Sequence, residues 1–120
     1  MIIINVNSDY PYFSQTSSIE GILYQFIFSW NERDERWRMT ITDMEENIIF
    51  NKIKIVPFIP LTSRYKIDDI YSGDILGYNI KSKFDMPSRT SLGKDFKLFY
   101  FDKNELKALN LWVYLIENMS

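Results

Sequence analysis

Apolar and polar positions alternate along two neighbouring stretches of the chain, residues 22–30 and 36–42. The first stretch places five large apolar side chains on one face of an extended segment: Ile22, Tyr24, Phe26, Phe28 and Trp30. The second alternates arginines and threonines with three apolar residues: Trp37, Met39 and Ile41. A period of two is typical of β-strands, whereas a helix would scatter both sets around its surface. The polar residues 31–35 predict a five-residue hairpin loop, which brings Trp30 close to Trp37.

Similar patterns predict strands on both sides of this hairpin. Ile2–Val6 and Phe13–Ile19 precede it, and Glu20-Gly21 forms a turn into it. A short strand is expected at Ile75–Ile80. Phe96–Phe101 has apolar side chains on both faces, which predicts a strand buried on both sides and central in its sheet.

The region after the hairpin is less regular. Residues 48–55 form a predicted strand whose apolar positions change phase, so one extra residue near Asn51 is expected to make a β-bulge. Pro57 and Pro60 end regular pairing, because proline has no backbone N–H to donate. Turn residues recur through 61–95, which predicts a long and partly irregular excursion.

The C-terminal segment has a different character. Asn104 is a candidate N-cap for a short helix through about Asn110, and residues 111–116 are then apolar on every face. Such a segment either completes the core or contacts another subunit. If it contacts a subunit, the candidate interface residues are Trp112, Tyr114 and Leu115.

Together these elements predict a mainly antiparallel all-β fold, a small barrel or sandwich with a long irregular excursion and a short C-terminal helix. At 120 residues the chain is expected to form one domain, 1–120. Apolar residues make up 46% of it and aromatic residues 17%, enough for a packed core or an aromatic interface. The sequence contains no cysteine and no histidine, which excludes disulfides, thiol nucleophiles, imidazole bases and the usual zinc ligands.

The low net charge argues against nucleic acid as a partner, and the short apolar runs argue against a membrane. The formal net charge is −2, and the hairpin arginines at positions 33, 36 and 38 alternate with acidic residues that nearly cancel their field. An oligonucleotide-binding β-barrel remains an alternative, because such barrels combine aromatic side chains with a basic groove. No apolar run reaches membrane-spanning length, and the N-terminal run is too short for a signal peptide.

No residue pattern indicates catalysis or a bound cofactor. Asp68, Asp69 and Asp74 are close enough in sequence to suggest a calcium loop, but they lack the alternation and central glycine of an EF-hand. We interpret them as a solvated turn, and we predict no metal site. Four serines lack both a glycine-flanked elbow and a histidine to activate them, which indicates turn or edge positions: Ser17, Ser18, Ser63 and Ser91.

The order of features along residues 12–102 resembles the small baseplate plug proteins of contractile phage tails, a family first described in a cyanophage baseplate. The resemblance starts with the turn and strand Ile19-Glu20-Gly21 and Trp30-Asn31, then Arg36-Trp37 and Met39-Thr40-Ile41-Thr42-Asp43. It continues through Lys54-Ile55-Val56-Pro57 with Leu61, Gly73-Asp74-Ile75-Leu76, Ser91-Leu92-Gly93 and Phe96-Lys97-Leu98-Phe99-Tyr100. The chain departs from the family in two places: the Glu46-Asn47 turn lacks the common glycine, and residues 103–120 extend beyond the family-like core.

The resemblance implies a structural protein without enzymatic activity or cofactor. It would belong to the virion tail baseplate of a phage or tailocin, on the central axis between tail tube and hub or spike. Its expected partners are other baseplate and tail proteins, in several symmetry-related copies. Assembly would take place in the host cytoplasm.

Overall fold

The computed structural model describes residues 1–62, 73–82 and 84–108 of the chain. This part contains the strands β1 (Ile2–Ile4), β2 (Tyr12–Ile19), β3 (Ile22–Asn31), β4 (Arg36–Thr42), β5 (Ile48–Lys54), β6 (Asp74–Asn79) and β7 (Phe96–Phe101). A helix, α1, begins at residue 103 and is described as far as residue 108. The predicted all-β, mainly antiparallel class is confirmed.

The strands form two sheets. One has the order β2-β3-β4-β5 and the other the order β1-β7-β6, and every strand pair in both is antiparallel. The predicted central position of β7 is confirmed. One cluster of buried side chains draws on both sheets, including Phe26 and Trp37 from the first and Leu98 from the second. Within the described residues, the two sheets do not close into a barrel.

Two tight turns set the register of the first sheet. Glu20 and Gly21 have φ angles of 53° and 80°, the left-handed pair that a two-residue type I′ hairpin turn requires. In the next hairpin Asn31 pairs with Arg36, so the loop has four residues and not the predicted five. Asn31 extends the strand because its side-chain Oδ1 accepts a bond of 2.9 Å from the backbone N–H of Arg33, which starts the turn just after it.

The predicted bulge in β5 is present. Met39 pairs with Ile53 but Ile41 pairs with Phe50, so β5 contains one residue more than β4 between these pairs. Lys52 has a φ of 49°, and its N–H donates to Thr40 Oγ1 at 3.0 Å. The extra residue lets both Phe50 and the later apolar residues of the strand face the core.

The turn between β4 and β5 places a residue other than glycine in the left-handed region. Glu46 has a φ of 68°, a conformation in which glycine is unstrained. The Asp43 carboxylate holds this turn by accepting bonds of 2.9 Å from the N–H groups of Glu45 and Asn47. Hydrogen bonds from the Asn47 side chain and backbone lower the pKa of Asp43.

In the second sheet, a close approach between β6 and β7 accounts for a glycine. A Cβ added at Gly77 would lie 2.5 Å from the ring of Phe96, a distance that real contacts do not reach. Because Gly77 has no side chain, the buried Phe96 ring can pack directly against the backbone of β6.

Helix α1 begins with a capping box, two residues earlier in sequence than predicted. The Asp102 carboxylate accepts a bond of 2.8 Å from the N–H of Glu105, and the Glu105 carboxylate accepts one of 3.0 Å from the N–H of Asp102. Asp102 is therefore the N-cap, and the prediction of Asn104 is wrong. An aspartate followed three residues later by a glutamate is the signal that marks this start.

Candidate interaction surface

The two tryptophans of the first hairpin lie side by side, as predicted. Trp30 is directly opposite Trp37 in the β3–β4 register, and their rings meet edge to face with centroids 5.6 Å apart. Trp37 is fully buried, while Trp30 is half-buried. Phe13 of β2 packs on Trp37 from the other side, with ring centroids 5.8 Å apart. The tryptophans therefore hold the core together and do not form an open stacking platform.

A loop far along the chain closes over this aromatic pair. The indole Nε1 of Trp37 donates a hydrogen bond of 2.8 Å to the carbonyl oxygen of Ser88. The guanidinium of Arg89 lies 5.5 Å from the centre of the Trp37 ring and donates bonds of 2.6 and 3.3 Å to the carbonyls of Ser8 and Asp9. Arg89 therefore fastens the segment between β1 and β2 to the hairpin, a role that the sequence did not indicate.

An ion pair joins the hairpin loop to β4. Arg38 makes a two-bond ion pair with Asp34, with N–O distances of 2.5 and 3.3 Å, and the Lys54 amine lies 3.7 Å from the same carboxylate. The hydrogen bond from Arg38 lowers the pKa of Asp34 below its usual value of 3.8 and raises that of Arg38. This interleaving gives the loop a mixed surface and not a basic groove.

Asp74 is structural. It is completely buried at the start of β6, and its Oδ1 accepts bonds of 2.9 and 2.6 Å from the N–H and hydroxyl of Thr62. The interpretation of Asp74 as part of a solvated turn is therefore wrong; the carboxylate ties the end of the preceding segment to the sheet. Asp68 and Asp69 lie outside the described residues. The described residues contain no group of three or more side chains suited to holding a metal ion.

The serines considered in the sequence take turn and edge positions where the structure describes them. Ser17 lies in β2 and accepts a bond of 3.2 Å from the side chain of Gln15. The Ser91 hydroxyl accepts a bond of 2.7 Å from the N–H of Ser88 and stabilises a turn. Ser18 is exposed in β2, and Ser63 lies outside the described ranges.

The surface feature with the clearest capacity for binding is a groove between β1 and β2, the facing edges of the two sheets. Its volume is about 400 Å³. Its walls combine apolar side chains with hydroxyl and amide groups, and they are formed by Ile2, Ile3, Ile4, Asn5, Gln15, Thr16, Ser17, Ser18, Ile19 and Tyr100. A groove bounded by two strand edges offers backbone hydrogen-bonding groups together with apolar pockets, which suits an extended peptide.

Sequence reasoning missed this groove and selected the C-terminal segment instead. Trp112, Tyr114 and Leu115 lie outside the described residues, so their interface role stays a prediction. A signal for the groove was available in β2, whose eight residues contain no charge. Its neighbour across the gap could not be deduced, because the sequence does not say which strands meet at the edges of two sheets.

The described ranges contain no helix long and apolar enough to cross a membrane. A comparison with curated protein sequences finds no match. A family model described as cyanophage baseplate Pam3 plug gp18 matches residues 1–103, so the match includes β1, which the resemblance noted from motifs did not cover. Residues 104–120, and with them most of α1, lie beyond it. On this match, the chain belongs to the cyanophage baseplate plug family.

Proposed function

We propose that this protein is a structural subunit of a contractile tail baseplate that plugs or caps the central axis and links the tail tube to the hub or spike. The observation that carries the proposal is the family match over residues 1–103, which spans every described strand. The subunit would hold tube and hub together before contraction. It would be displaced or carried along when the tube is driven out.

The polar groups Asp74, Trp37 and Arg89 stabilise the fold, which a mechanical role would require. The buried Asp74 carboxylate and the Trp37 indole both bind backbone groups of distant segments. The Arg89 guanidinium does the same at the surface of the hairpin. These bonds fix loops to sheets, as a scaffold that transmits force requires. We infer no catalytic activity and no cofactor.

Contacts with neighbouring baseplate and tail proteins would use aromatic anchors. Protein interfaces gain most of their binding energy from a few buried aromatic or arginine side chains. The described surface presents Tyr10 and Phe84, which are 70% and 78% exposed. We propose that Trp112, Tyr114 and Leu115 add to these anchors. The subunit would act in several symmetry-related copies after assembly in the host cytoplasm.

The oligonucleotide-binding barrel receives no specific support. Its binding face requires a basic groove lined by aromatic side chains. In this chain the aromatic hairpin residue Trp37 is buried and Arg38 is paired with Asp34. The baseplate proposal therefore stands alone.

The proposal is tested in the phage or tailocin particle whose genes include the one for this chain. Tails purified from a deletion strain are compared with tails complemented by the full chain, using mass spectrometry and electron cryomicroscopy. We expect the chain in intact tails, with density on the axis where tube meets hub, and incomplete baseplates in its absence. Particles that assemble and infect normally without the chain, or density confined to the sheath or outer wedges, would refute the axial role.

The candidate interface is tested with a matched pair of variants in the same complementation. Replacing Trp112, Tyr114 and Leu115 together by alanine should reduce the number of complete tails. The control replaces Asn118, a polar residue of the same segment, by alanine and should assemble normally. Equal assembly by both variants would show that these three residues do not contribute to the interface.

A further inference from the structure

The outer edges of the two sheets differ in how well they are protected against pairing. The edge of β6 is covered, because the N–H groups of Phe58 and Leu61 donate to the carbonyls of Gly77 and Ile75 at 2.9 and 3.0 Å. The edge strand β5 carries a bulge and two lysines, Lys52 and Lys54, which discourage pairing. β2 has none of these devices: it is eight residues long, uncharged and in unbroken register with β3. The outer edge of β2 can therefore pair with another strand.

The hydrogen-bond pattern identifies which groups of β2 point outwards. The N–H of Trp30 donates to the carbonyl of Pro11 at 2.7 Å, so residue 11 and every second residue after it direct their backbone groups to β3. The alternate residues Ser14, Thr16 and Ser18 therefore direct their N–H and C=O groups away from β3, and Thr16 and Ser18 line the groove. Among the described residues, these groups have no backbone partner.

β1 forms the opposite wall of the groove and runs antiparallel to β2. At one end, the side chain of Gln15 donates a bond of 2.7 Å to the carbonyl of Asn5. At the other end, Glu20 contacts the hydroxyl of Tyr100, and Tyr100 is the β7 partner of Ile2. The floor between these ends is apolar, with contributions from Ile4 and Ile19. The site thus has two backbone edges above an apolar base.

We propose that this groove binds the C-terminal segment of the same chain, residues 109–120, as an added strand next to β1 and β2. The position of α1 favours this occupant. The carboxylate of Glu105 contacts the amine of Met1, so the first turn of the helix lies beside the first residue of β1, at the Ile2 end of the groove. A strand that enters there runs antiparallel to β2, the arrangement in which Ser14, Thr16 and Ser18 can exchange paired hydrogen bonds with it.

The segment is long enough to span the groove, and its apolar stretch carries no charge. The stretch Leu111–Ile116 contains no charged residue, so it can leave water without an uncompensated charge. At about 3.3 Å per residue, six residues extend about 20 Å, which exceeds the roughly 10 Å from Ile2 to Asn5. Because the segment is tethered next to its site, its effective concentration there is in the millimolar range, well above that of a free partner. This inference does not depend on the baseplate role: docking in the groove covers one face of the added strand, and the other face stays available for contact with a neighbouring subunit.

Amide hydrogen exchange, measured by NMR on the isolated full chain, tests the proposal. We expect the N–H groups of Ser14, Thr16 and Ser18 to exchange about as slowly as those of Phe13 and Gln15, which bond to β3. The test variant is Val113→Asp with Tyr114→Asp, which puts one charge on each face of the added strand, so one of them points to the apolar floor in any register. The control is Asn110→Asp with Asn118→Asp, which adds the same charge outside the apolar run.

In the test variant, the exchange of the three outward amides should become faster by about tenfold or more, while Phe13 and Gln15 keep their rates. The control should match the unmodified chain. Fast exchange of the outward amides in the unmodified chain, or equal rates in test and control variants, would overturn the proposal. Protection that rises with protein concentration would overturn it in favour of a second copy in the groove.

Discussion

The indole Nε1 of Trp37 donates a hydrogen bond of 2.8 Å to the carbonyl of Ser88, 51 residues further along the chain. This contact joins the first hairpin to the loop that precedes β7. Trp37 is completely buried and packs against two aromatic rings of the same sheet, Trp30 in the adjacent strand β3 and Phe13 in the edge strand β2. One side chain thus connects the centre of the four-stranded sheet to the irregular part of the fold.

Removing either hairpin tryptophan should destabilise the protein, and by different amounts. Trp37→Ala is expected to lower the free energy of unfolding by about 3 to 5 kcal/mol, because it leaves a cavity in the core. Trp30→Ala should cost less, since the ring is half-buried. Urea denaturation measures both. Unchanged midpoints in the two variants would show that the pair does not contribute to the core.

Arg89→Lys should loosen the attachment of the segment before β2. Lysine keeps the charge but cannot donate in the same plane to the carbonyls of Ser8 and Asp9 while lying over Trp37. We expect a loss of about 1 to 2 kcal/mol in urea denaturation, with faster amide exchange around residue 9. The control Arg33→Lys changes an exposed hairpin arginine and should have little effect. Equal stability of both variants would contradict the role of Arg89.

The ion pair between Asp34 and Arg38 should make part of the stability depend on pH. The pKa of Asp34 is lower in the folded protein than its usual 3.8, because Arg38 donates hydrogen bonds to the carboxylate. The contribution is therefore fully present above the unfolded pKa and is lost as the pH falls through the folded pKa. Arg38→Met should lower the urea midpoint at neutral pH, and the difference from the unmodified chain should shrink below pH 3.8.

Arg33→Met is the control for this pH dependence, because Arg33 lies in the same exposed loop. Its effect should not follow the titration of Asp34. If the difference caused by Arg38→Met stays constant from neutral pH down to about pH 3, the ion pair does not contribute in the way the geometry indicates.

A chain cut after Lys103 should still fold but should not support tail assembly. Within the part of the chain that the structure describes, the residues of the buried core cluster all precede this point, and the family match ends there. The truncated chain should nevertheless melt at a lower temperature than the full chain, because it lacks the contact between Met1 and Glu105 and the segment proposed for the groove. Thermal unfolding and complementation of a deletion strain measure the two outcomes. If the truncated chain cannot fold, the removed residues 104–120 belong to the core. If normal particles assemble with it, these residues do not form a subunit interface.

The protein should not bind nucleic acid at physiological salt. Its formal net charge is −2, and Arg38 of the hairpin forms an ion pair with Asp34. Fluorescence anisotropy with labelled single-stranded and duplex DNA provides the measurement. A dissociation constant below about 1 μM, tighter than non-specific binding, would instead support the oligonucleotide-binding class.

The sequence by itself determined the elements whose information is local. Alternation along β3 and β4 specified a hairpin, and the phase change in β5 specified its bulge, because side chains in a strand change face at every residue. The apolar character of both faces of β7 likewise predicted its central position. The order of short motifs was enough to indicate the family that the match over residues 1–103 then established.

Only the tertiary structure decided which distant segments meet. The burial of Asp74, the attachment of Arg89 to Ser8 and Asp9, and the groove between β1 and β2 all join residues far apart in sequence. Such contacts depend on how two sheets pack, and periodicity along one strand carries no information about the other sheet. Asp74 illustrates the limit: its place in a turn-rich stretch with Asp68 and Asp69 predicted a solvated carboxylate, and only the structure shows that Thr62, twelve residues earlier, donates two hydrogen bonds to its buried Oδ1.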